Sequence, residues 1–173
     1  MLSTGTKGST RRSWVPPEEG FHKINVDGGV DSAVYKGAAA AICRTHDGVY
    51  AGSSSMLFKG ILDPTCLEAL ACREALCLAA DLMLQNVVIS CDSKGMVEDI
   101  KDGTAGRHEM IIKEIWERMN SFNSCSFIFE SRSTNRDAHN LCKFATSLDP
   151  GRHVWFLYPH DTGCVPVNVV LRE

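Results

Sequence analysis

The sequence has no apolar run approaching the roughly 18 residues of a helical membrane span, and no apolar h-region of a signal peptide. Neither a membrane association nor secretion is therefore expected. Its eight cysteines, at positions 43, 66, 72, 77, 91, 125, 142 and 164, include no C-x-x-C pair. Most fall in apolar or periodic runs, so buried thiols in a reducing intracellular compartment, nucleus or cytoplasm, are expected. Zinc held by His139 and Cys142 on one helix would need distant partners and lacks the paired clusters of a structural zinc site. An excess of positive charge is also missing: 18 Lys+Arg stand against 21 Asp+Glu, a net charge of −3. Any nucleic acid would have to be held by local groups rather than by the field of the whole protein. No G-x-S-x-G elbow appears, which removes the usual serine hydrolase, and no internal repeat is evident.

What is present suits one compact domain. The 173 residues are 44% hydrophobic, enough to bury a sizeable core, and a monomer is expected. Residues 1–20 differ from the rest: they carry Lys7, Arg11, Arg12 and Pro16-Pro17, with no acid before Glu18. They read as a flexible leader. The basic, hydroxyl-rich composition also suits organelle targeting, although no amphipathic period accompanies it.

From Phe21 to Val30 apolar and polar positions alternate, with Ile24 and Val26 opposite Lys23, Asn25 and Asp27, which predicts a strand. Gly37 to Thr45 and Val49 to Phe58, separated by His46-Asp47-Gly48, predict a following hairpin. Asp63-Pro64 is a helix start, and Leu67, Leu70, Ala71, Ala75, Leu78, Ala79 and Leu82 mark one helical stripe, with Glu68 at its edge. Asn86 to Cys91 suits a strand buried on both faces. Short helices are expected over Ser93 to Lys101 and Arg107 to Asn120, a fifth strand over Phe127 to Glu130, and a last helix over Thr134 to Ser147. The order βββαβααβα implies an α/β domain over residues 21–148, with a mixed five-stranded sheet flanked by helices. Residues 149–173 show no clear period and read as an irregular tail.

Acidic residues stand at the ends of buried elements. Asp27 precedes Gly28-Gly29, Asp92 follows the run VVISC, and Glu68 can approach from the long helix. Each also has an ordinary explanation: a turn former, an N-cap, a solvent-facing helix residue. Acids buried together repel one another, and hard divalent cations such as Mg²⁺ or Mn²⁺ resolve that conflict.

Four segments, KINVDGGV at 23–30, LEALACREALCLA at 67–79, VVISCDSKGMV at 87–97 and NRDAHNLCKFA at 135–145, together resemble the type 1 ribonuclease H domain. The branch they resemble is the plant reverse-transcriptase-associated one, found in retroelement-derived proteins. The resemblance spans about Trp14 to Tyr158. It implies a ribonuclease H-like fold and divalent-metal-dependent hydrolysis of the RNA strand of RNA–DNA hybrids, with Asp27, Glu68 and Asp92 as metal-binding catalytic carboxylates. The alternative is an inactive retroelement-derived module that binds nucleic acid or another protein.

In the same alignment His139 stands where the family usually has a fourth Asp. As a metal ligand it would offer Mg²⁺ a poorer partner and one negative charge less. A helix-start residue bonded to backbone is its bland reading. Asp137 lies two residues earlier, roughly 200° around the helix. The basic extension that some members use to grip the hybrid is missing between the two short helices, where Arg107 and His108 are the nearest basic groups. Arg132 and Arg136 are candidates for phosphate contact, and Gly28 and Ser93 for contact with nucleic acid beside the carboxylates.

Overall fold

The computed structural model describes residues 14–103, 106–169 and 171. Its elements are β1 (His22–Asp31), β2 (Lys36–Arg44), β3 (Tyr50–Lys59), α1 (Pro64–Asp81), β4 (Asn86–Cys91), α2 (Lys94–Asp102), α3 (Glu109–Met119), β5 (Ser124–Phe129), a 3-10 turn at Arg132–Thr134, α4 (Arg136–Ala145) and β6 (Gly151–Trp155). The sheet runs β5-β4-β1-β2-β3-β6, with β1, β4 and β5 mutually parallel and the pairs β1-β2, β2-β3 and β3-β6 antiparallel.

The sixth strand is a departure from the five expected. It lies where no sequence period is visible because it is a short edge strand, held by backbone pairing to β3 and by Arg152. That side chain donates to Glu74 Oε1 and Asp81 Oδ2 of α1 at 2.7 and 2.6 Å. More of the C-terminal segment is anchored through its backbone. The buried Arg44 guanidinium donates to the carbonyls of Pro166 and Val167, and the Tyr50 N–H donates to Val167. Carbonyls held in this way leave no mark on side-chain pattern. Of the leader, residues 1–13 lie outside the described residues, whereas Trp14 is buried and donates its indole N–H to Asn25.

Helices cover both faces of the sheet. Ile24, Val26, Ala39, Ala41, Val87 and Ile89 pack on one side against α1, α2 and α3, through residues such as Leu67, Leu78, Val97 and Ile115. Ala38, Ala40 and Ile42 pack on the other side against Leu141, Cys142 and Ala145 of α4. Strands covered on both faces lose simple alternation and read as continuous apolar runs. The Ala38–Ala41 run keeps side chains small on both faces of β2, letting α1 and α4 approach closely.

α1 begins as its sequence predicts: Asp63 accepts the Thr65 N–H at 3.1 Å and Pro64 occupies the first turn. It meets β1 at Gly28, where an added Cβ would lie 2.5 Å from the Leu67 carbonyl carbon and 2.7 Å from the Glu68 nitrogen. Only a residue without a side chain permits that approach. Gly28→Ala should therefore separate β1 from α1 and destabilise the protein by about 1–3 kcal/mol, read as a lowered urea midpoint. Gly95→Ala, on exposed helix with nothing within 4 Å of the new Cβ, should instead stabilise by about 0.5–1 kcal/mol. Equal midpoints for the two variants would contradict this account.

Candidate metal centre

Parallel pairing of β1 with β4 sets Val26 opposite Cys91, so Asp27, in β1, and Asp92, just past the end of β4, follow at the same level. Asp27 lies within β1 rather than in a turn, and only 6% of its surface is exposed. Asp92 does not cap α2. Ser93 does so, its hydroxyl accepting the Met96 N–H at 3.3 Å, which leaves the Asp92 carboxylate uncommitted to the helix. Glu68 is brought in by the contact at Gly28: its Oε1 accepts the Gly28 N–H at 3.3 Å and its Oε2 the Cys91 thiol at 3.5 Å. None of the three acids keeps its ordinary alternative role.

Among the described residues, one oxygen each of Glu68 and Asp92 and the Cys91 sulfur lie within 4.8 Å of one another. Asp27 stands beside this group, with its Oδ2 3.0 Å from His139 Nδ1. His139 thus contacts the site through its ring, not the backbone, and its side chain is 56% exposed at the mouth. Cys91 is the residue that sequence reading passed over: a buried thiol at the end of β4 gives no signal of its neighbours, and only its place next to Asp92 hinted at them.

The remaining candidates divide. Arg132 lies 3.8 Å from Asp92 Oδ2 and lines a cleft of about 620 Å³ together with Asp27, Glu68, His139, Lys143 and Thr146. Arg136 is not on that cleft; it borders a small separate cavity with Trp14, Asn25 and Arg44. Gly28 and Ser93 spend their N–H groups inside the protein, on Glu68 and on the Cys91 sulfur. Asp137 turns away from the cleft and pairs with Arg44 at 3.0 Å, as its helical offset implies. Arg107 pairs with Asp63 at 2.9 Å.

A buried polar chain fixes α4 against β1. Trp14 donates to Asn25, Asn25 donates to Asn135 Oδ1 at 3.1 Å, and Asn135 donates to the Val26 carbonyl at 2.7 Å. Asn25 and Asn135 precede Asp27 and His139 by two and four residues, so this chain holds the two elements that carry the Asp27–His139 contact.

Burial is the main cause of the site's altered acidity. It pushes the Glu68 carboxyl up to about 9, helped by Cys91, Asp27 and Asp92 and opposed by the Gly28 N–H. Asp27 is also raised, by burial and then by Asp92, against the hydrogen bond and charge of His139 and the charge of Arg132. Hard oxygen donors that resist ionising together match the chemistry of a divalent cation, whose charge would restore their anionic forms.

Folded Glu68 holds its proton more tightly than the unfolded chain does. Its stabilising contribution is therefore complete below pH 4.5, its ordinary value, and is lost as pH rises from there toward about 9. Without divalent cation, Glu68→Gln should flatten the fall in urea midpoint over that range. A slope identical to that of the wild type would show that Glu68 is not the titrating group.

Comparison with known proteins supplies the family. No curated protein matches the sequence significantly. Among solved structures, ribonuclease H1 of the archaeon Halobacterium salinarum is similar with a TM-score of 0.67 at 18% identity, over 73% of this chain and 98% of that one. The N-terminal ribonuclease H domain of a Mycobacterium tuberculosis protein gives 0.65 at 19%, over 73% and 94%. Ribonuclease H1 LC11, from a compost metagenome and solved with an RNA/DNA hybrid, gives 0.62 at 15%, over 71% and 94%. The family model described as reverse transcriptase-like matches residues 25–145, a span that contains Asp27, Glu68, Asp92 and His139. The chain has the ribonuclease H fold and belongs to the reverse transcriptase-like family.

Proposed function

We propose that the protein is a divalent-metal-dependent endonuclease that hydrolyses the RNA strand of RNA–DNA hybrids, the cations being Mg²⁺ or Mn²⁺. The observation that carries this reading is the gathering of three acids from β1, α1 and the end of β4: Asp27 and Glu68 line one open cleft, and an Asp92 oxygen lies within 4.8 Å of one of Glu68. Such cations, when bound, activate water for in-line attack and stabilise the leaving 3′ oxygen. The carboxylates hold and orient them. Arg132 and Lys143, on the cleft wall, supply positive charge for the phosphate backbone of a hybrid, and the 2′-hydroxyl distinguishes the strand to be cut. The same reading includes descent from the plant retroelement-derived branch, which the four segments KINVDGGV, LEALACREALCLA, VVISCDSKGMV and NRDAHNLCKFA together resemble.

One observation favours the second reading, an inactive module that binds nucleic acid or protein. His139 puts a ring nitrogen, not a carboxylate, beside Asp27, with one negative charge less at the mouth. The two readings separate in one assay. Wild-type protein should cleave a labelled hybrid in Mg²⁺ or Mn²⁺, and Asp27→Asn should lower the rate by about 100-fold or more. An uncut hybrid that still shifts on a gel in both ions would establish the binding module instead. His139→Asp should raise the rate and tighten Mg²⁺ binding; an unchanged rate would remove His139 from the metal site.

A further inference from the structure

The tightest donor group of the centre is not purely carboxylate. We infer that Glu68, Cys91 and Asp92 form a mixed sulfur and oxygen site that takes up thiophilic divalent cations such as Zn²⁺ or Cd²⁺ in competition with Mg²⁺. This rests on reading the site as a metal centre but not on nuclease activity.

One pair of donors has the spacing of a metal site. Zinc–sulfur and zinc–oxygen bond lengths place a thiolate and a carboxylate oxygen about 3.6 Å apart across one edge of a tetrahedron. The Cys91 Sγ to Glu68 Oε2 separation is 3.5 Å. Asp92 is the third donor, all pairs lying within 4.8 Å, and the remaining coordination positions are left for water or substrate. Outside the three donors, the Ser93 backbone N–H donates to the Cys91 sulfur at 3.4 Å. A hydrogen bond of this kind orients a ligand atom and stabilises it as an anion. The sulfur is fully buried, so its position is fixed by packing and it is shielded from bulk solvent.

Chemical softness then decides between cations. Mg²⁺ binds the carboxylate oxygens and ignores sulfur, whereas zinc and cadmium gain from the thiolate. Uptake replaces the Cys91 S–H bond with a sulfur–metal bond and the Glu68 O–H bond with an oxygen–metal bond, and releases both protons to solvent with no change of oxidation state. A soft cation held on Glu68 and Asp92 occupies the oxygens that Mg²⁺ needs, so trace zinc inhibits the hydrolysis proposed above. Of the other cysteines, Cys72 shares a thiol hydrogen bond with Cys91, and among the described residues no second group of three potential donors occurs.

The test is spectroscopic and needs no hybrid. Cd²⁺ titrated into the whole reduced chain should produce the ultraviolet band of a thiolate–cadmium bond, with proton release, and Mg²⁺ in excess should weaken the apparent affinity. Cys91→Ser should abolish the band. Glu68→Gln and Asp92→Asn retain every thiol and should each weaken Cd²⁺ binding by at least about tenfold. No band in the wild type, a band unchanged in Cys91→Ser, or full affinity in both carboxylate variants overturns the inference. Hybrid cleavage without any cadmium band would leave the nuclease reading standing, and a cadmium band without cleavage would count against that reading alone.

Discussion

At Gly28 the backbone of β1 touches the backbone of α1, with no side chain between them. That contact sets the height of α1 along the sheet and so puts Glu68 within hydrogen-bond reach of the strand that carries Asp27. The parallel register of β1 and β4 then supplies Asp92 at the same level. Two backbone constraints, one close approach and one strand pairing, thus bring together groups whose charges repel. The cost of assembling them is carried by the packed core on both faces of the sheet.

The site is held from the other side by polar rather than apolar contacts. α4 is amphipathic, and Ala138, Leu141, Cys142 and Ala145 bury its apolar stripe. A stripe alone permits sliding along the sheet, whereas the Asn25–Asn135 pair and the bond from Asn135 to Val26 allow one position. A buried polar group left unsatisfied costs more than a shifted methyl, so such networks specify a unique arrangement. The same logic applies to Arg44, which joins Asp137 of α4 to the C-terminal segment, and to Lys23, which pairs with Glu130 and donates to the Val15 carbonyl. These cations are buried and committed to structure. The cations on the cleft itself are Arg132 and Lys143.

His139 and Cys91 give this centre its individual chemistry. One sets a ring nitrogen beside Asp27, and the other sets a sulfur beside Glu68 and Asp92. In the metal centre proposed above, both would favour metals that accept nitrogen and sulfur over Mg²⁺.

Period and punctuation in the sequence were enough for the order of β1 to α4 and for the start of α1 at Asp63-Pro64, because those signals are local, whereas Asp27, Glu68 and Asp92 were singled out by the segments of resemblance. β6 and the anchored tail escaped, since they are held by backbone groups bonded to distant side chains. The choice of Ser93 over Asp92 as helix cap, the turn of Arg136 away from the cleft, and the entry of Cys91 among the donors were decided only on folding. Each depends on which surfaces meet across tens of residues, and a linear pattern carries no record of those distances.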